Sequence, residues 1–113
     1  ARDEGMYSGA TQRGSRGGRI PGAVNVPAQS FTGIDGCWKA GDEIRQQAVE
    51  AGVALDLPVT AYCNGGVTAT QLLFGLHRAG MPLDLLSNYD GSWNEWGERA
   101  DLPVEGNQDL FRD

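Results

Sequence analysis

Val59-Thr60-Ala61-Tyr62-Cys63-Asn64-Gly65-Gly66-Val67-Thr68-Ala69 is the stretch that decides the fold. Pro58 to Tyr62 is rich in β-branched and aromatic residues and reads as a strand. It breaks off at Cys63-Asn64-Gly65-Gly66, and a helical pattern takes over from about Val67 to Ala79. Ala69, Leu72, Leu73 and Leu76 fall at i, i+3, i+4 and i+7, the spacing of a buried stripe, and Gly80 and Pro82 end it. Upstream, Ala23 to Pro27 reads as a short extended piece, and Asp42 as the cap of a helix to about Ala51 with Ile44, Ala48 and Ala51 on one face. Downstream, Leu83 to Leu86 reads as a strand. Asp90-Gly91 turns the chain, and Ser92-x-x-Glu95 matches a capping box opening a short helix through Trp96. Strands alternating with helices predict an α/β fold with a parallel sheet. Residues 8–22 and 28–41 read as loops and 99–113 as an irregular acidic tail.

The 113 residues make one domain, and 40% apolar with 21% charged residues suits a packed core. A net charge of −6 disfavours a nucleic-acid partner held through phosphates. Charge is uneven, because residues 1–20 carry four arginines against Asp3 and Glu4. No apolar run approaches the roughly 18 residues of a membrane span, and no basic-then-apolar leader opens the sequence, so no membrane partner and a cytoplasmic location are expected. Cys37 and Cys63 have neither zinc-site nor CxxC spacing, so no metal and no cofactor are expected. Seventeen glycines, clustered at 14–22, 33–41, 65–66 and 91–97, mark turns or close backbone approaches.

The chemistry centres on Cys63. In open α/β sheets ligands bind beyond the carboxyl ends of strands, where this cysteine falls. Gly65 and Gly66 permit positive φ, so successive N–H groups can form an anion nest, and the following helix N-terminus adds positive potential. Both favour thiolate over thiol, which suits a nucleophile. The residues alone leave two readings open: an activated nucleophile, or an inert buried thiol at a strand end. His77, the only histidine, sits about 15 Å along the second helix, too far to be the base for Cys63. It reads as a helix C-terminal residue. Trp93 and Trp96 can line a pocket or anchor the last helix, and Cys37 reads as a bystander thiol.

Four ordered segments resemble the rhodanese-like sulfurtransferases. Ala1-Arg2 followed by Tyr7-x-Gly9 is similar to the family's Asp-x-Arg…Tyr-x-Gly segment, without its Asp. Gly18-Arg19-Ile20-Pro21-Gly22-Ala23-Val24-Asn25-Val26-Pro27 resembles Gly-His-Ile-Pro-Gly-Ala-x-Asn-x-Pro, with Arg19 in the place of His. Cys63-x-Gly-Gly-Val67-Thr68-Ala69 resembles the active-site loop. Tyr89-Asp90-Gly91-Ser92-Trp93-x-Glu95-Trp96 resembles the signature of the carboxyl-terminal catalytic domain of two-domain members. The resemblance implies a three-layer α/β/α domain with a parallel sheet, here lacking its first strands.

It also implies a mechanism. Cys63 takes sulfur from a small anionic donor, thiosulfate or 3-mercaptopyruvate, and carries it as a persulfide to cyanide or a thiol. By the same resemblance the N–H groups from Asn64 through Gly65, Gly66 and Val67 to Thr68 cradle the persulfide, with the Thr68 hydroxyl as a further donor. Arg2 is the arginine near the site and Trp93 a pocket residue. Thiosulfate enzymes carry basic residues where Asn64 and Gly65 stand. Mercaptopyruvate enzymes carry Ser at the position of Gly65 and a second arginine at that of Met6, so neither donor pattern is complete. The related phosphatases need Cys-x5-Arg, but that count reaches Ala69. The alternative is a binding or persulfide-relay module with little turnover on free donors. The missing first strands also predict that residues 1–113 are the carboxyl-terminal portion of a longer protein, partnered by an upstream rhodanese-like domain or fragment.

Overall fold

The computed structural model describes residues 1–12 and 14–106, so Arg13 and the end of the acidic tail, 107–113, lie outside the described residues. Helix α1 is Glu4–Ser8, α2 Gly41–Glu50, α3 Thr68–Arg78 and α4 Ser92–Trp96. Strands β1, Val59–Ala61, and β2, Leu86–Asn88, pair in parallel, Val59 opposite Leu86 and Ala61 opposite Asn88. The α/β class and the parallel sheet are as expected.

The core follows from two periodicities. Along β1, Val59 and Ala61 share one face and Thr60 takes the other, where its hydroxyl meets that of Ser87 at 2.9 Å. Ala69, Leu72, Gly75 and Leu76 form the buried stripe of α3, which packs on both strands. Ile44 and Ala48 of α2 join the same cluster, as do Val26, Phe31 and Met81. Gly75 is required here, since a Cβ would strike the Phe31 ring.

Four local expectations are corrected. The 23–27 segment forms no strand, and its only fully buried residue is Val26; Pro27 removes a donor. The second strand begins three residues late, because Pro82 leads Leu83–Leu85 into a 3₁₀ turn. Helix α2 starts at Gly41 after Ala40, leaving Asp42 in the first turn, where its charge suits the helix dipole. Ser92 is not an N-cap: it is the first residue of α4, and the capping-box geometry is absent from it.

Candidate functional site

Strand β1 runs through Tyr62 into Cys63, which is 4% exposed at the carboxyl end of the strand. The chain then wraps around the sulfur. The Gly66 N–H donates to Cys63 Sγ at 3.1 Å and the Ala69 N–H at 3.3 Å. Gly66 has φ +88°, and a Cβ there would lie 2.5 Å from the Asp90 carbonyl oxygen, so only glycine allows this approach. Burial pushes the Cys63 thiol up, but the N–H groups of Ala69, Gly66, Gly65 and Thr68 together outweigh it and hold the thiol below its ordinary value. The site is therefore a preformed cradle for a sulfur anion.

The cradle departs in detail from the sequence reading. Ala69, one residue beyond the expected run, is a donor; the position where a phosphatase would need arginine gives its N–H instead. Asn64 works through its side chain: Oδ1 accepts from Arg2 Nε at 3.0 Å, and Nδ2 donates to Met6 Sδ at 3.3 Å. Val67 precedes α3 and is 80% exposed. Thr68 opens α3 and is exposed beside it.

Arg2 is 4% exposed. Besides Asn64 it donates from Nη1 to the Gly18 carbonyl, and its guanidinium lies 4.5 Å over the Trp93 ring. It ties the amino-terminal segment, the Gly18 turn, the cysteine loop and α4 together. Trp93 is 1% exposed under that guanidinium, with Nε1 donating to Arg16 O at 3.1 Å, so it supports Arg2 rather than lining an open pocket. Arg16 donates to the carbonyls of Trp96, Gly97, Arg99 and Leu102, and Arg19 lies 4.3 Å over Tyr7. Arg16 thus secures backbone carbonyls at the end of α4 and Arg19 packs on Tyr7, while Arg2 reaches the cysteine loop through Asn64. His77 lies at the far end of α3, with Nδ1 2.8 Å from Met81 O. Cys37 is a free, exposed thiol. Among the described residues no cluster of side chains suits a metal ion.

One residue at the site was misread in sequence. Ser92 is fully buried, and its hydroxyl accepts from the Cys63 N–H at 3.0 Å. Its local pattern, Ser-x-x-Glu, signals a cap, and nothing in it distinguishes a cap from a clamp.

The comparisons agree with this geometry. The family model described as rhodanese-like domain matches residues 1–99. The chain is 45% identical over 92 residues to a 3-mercaptopyruvate sulfurtransferase of Escherichia coli, covering 81% of this chain and 32% of the relative. It is 40% identical over 101 residues to a thiosulfate sulfurtransferase of Gallus gallus, covering 88% and 34%. It thus spans about a third of the length of these relatives. Among solved structures, an anaerobic ergothioneine biosynthesis enzyme from Chlorobium limicola superposes with a TM-score of 0.81 at 24% identity, covering 93% of this chain and 27% of that one, a likeness of fold. With the matched family spanning the cysteine loop and both strands, the chain belongs to the rhodanese-like domain family.

Proposed function

We propose that this domain is the sulfur-carrying part of a sulfurtransferase, with Cys63 as the carrier. The observation that carries the reading is the convergence of backbone N–H groups on Cys63 Sγ, which favours thiolate and would equally hold the outer sulfur of a persulfide. The thiolate attacks the sulfane sulfur of the donor. With thiosulfate the S–S bond breaks and sulfite leaves with the electron pair. With 3-mercaptopyruvate the C–S bond breaks and pyruvate leaves after taking a proton from solvent. Cyanide or a thiolate then attacks the outer sulfur, the persulfide S–S bond breaks, and the Cys63 thiolate returns. The N–H groups of Gly65, Gly66, Thr68 and Ala69 hold the sulfur, while Arg2, through Asn64, and Trp93 beneath its guanidinium fix the loop. Two free cysteines suit a reducing, cytoplasmic compartment.

The relay reading, in which a protein persulfide is the donor, is favoured by one observation. Asn64 and Gly65 bring no cation to the loop, and the Arg2 guanidinium is buried against Gly18 O and Asn64 Oδ1. The span of a third of its relatives supports a domain that works within a longer protein, and we infer an upstream rhodanese-like partner for it. Sulfur-transfer rates with thiosulfate and 3-mercaptopyruvate, cyanide as acceptor, test the scheme. Wild type should turn over at least one donor, and Cys63→Ala should show only the uncatalysed rate. Slow turnover on both, rescued by a protein persulfide, supports the relay; equal rates in the two proteins contradict both readings.

A further inference from the structure

Among the described residues Ser92 is the only non-glycine with positive φ, at 49°. It is fully buried, its N–H and Oγ both donate to the Tyr89 carbonyl, at 3.1 and 2.8 Å, and Oγ accepts from the Cys63 N–H. Glycine would take this backbone without strain, so the hydroxyl is what serine contributes here.

The neighbouring bonds show what it does. In a trans peptide the C=O and N–H point in opposite directions. The plane between Tyr62 and Cys63 is held at both ends, Ala1 N donating to Tyr62 O at 2.8 Å and the Cys63 N–H donating to Ser92. The Cys63 and Asn64 carbonyls accept from the Trp93 and Asn94 N–H groups at 3.0 and 2.8 Å. With the Asn64 carbonyl turned to α4, the Gly65 N–H of the same plane points the other way, toward the sulfur.

We propose that Ser92 is a positioning residue for sulfur transfer: its hydroxyl locks the Cys63 peptide so that, with Trp93 and Asn94, the loop carbonyls turn to α4 and the loop N–H groups to Sγ. This rests on Cys63 as the sulfur carrier. Of the other groups that bond the loop, the Ala1 nitrogen donates to Tyr62 O and Arg2 to Asn64 Oδ1, atoms that the substitution does not remove.

The test uses the full chain with Cys37→Ser, so that only Cys63 alkylates, and compares Ser92→Gly with Ser92→Ala. Glycine relieves the left-handed strain and alanine keeps it, but both lose the hydroxyl. The pH midpoint of Cys63 alkylation should rise by about half to one unit in both, whatever their unfolding temperatures. Persulfide loading below the midpoint should slow about 3- to 10-fold. An unchanged midpoint in both, or a rise only in the strained alanine variant, overturns the proposal. Failure of the wild type to load sulfur would instead overturn the carrier reading, because alkylation needs no sulfur donor.

Discussion

At Cys63 two opposing effects meet, burial that favours the thiol and four N–H groups that favour the thiolate, and the second prevails. This makes a statement about stability. A group whose folded pKa is depressed contributes stability that is complete above its unfolded value, about 8.5 for a cysteine, and is lost as the pH falls through the lower folded value. The stability of the wild type relative to Cys63→Ser should therefore grow as pH rises toward about 8.5. Denaturant melts at a series of pH values check this, and a difference that shrinks toward alkaline pH would contradict the cradle. The sequence showed the cysteine and the two glycines. It did not show Ala69 as a donor, because an N–H bond has no residue-type signature, nor Arg2 as a brace, because its partners lie 16 and 62 residues away.

Among the elements, α3 was the most legible, since its stripe of Ala69, Leu72 and Leu76 states which face is buried. Helix α4 was the least. Its five residues carry no period, and their role depends on β1 and the cysteine loop arriving beside them. The 23–27 segment was misjudged for a similar reason: strand-forming side chains do not make a strand without a partner for the ladder. The junction of loop and α4 is tight at Gly66, which faces the Asp90 carbonyl just before the helix. Gly66→Ala adds a left-handed alanine and a backbone clash, for an expected loss of roughly 2–4 kcal/mol and a large fall in Cys63 reactivity. Thermal melts and alkylation rates measure both, and a variant of unchanged stability and reactivity would show that the loop is not held as described.

At the scale of the molecule, β1 pairs with β2, and beside β1 lies a groove of about 320 Å³ lined by Val24, Val26, Leu57, Val59 and Leu72. Val24 and Leu57 remain about half exposed there. Such an apolar channel along a strand gains from cover by further chain. If the domain works within a longer protein, as proposed above, that protein should melt at least about 5 °C higher than residues 1–113. Equal melting temperatures would argue that the groove needs no cover. Composition and charge spoke for one globular domain and against a nucleic-acid surface, and no helix among the described residues is long and apolar enough to cross a membrane. The central claim, that Cys63 carries sulfur, is tested most directly by intact mass after incubation with thiosulfate, 3-mercaptopyruvate or a protein persulfide. A gain of about 32 Da that maps to Cys63, is absent in Cys63→Ala and disappears on adding cyanide is the predicted result. No gain from any donor, in a protein whose Cys63 alkylates readily, would contradict it.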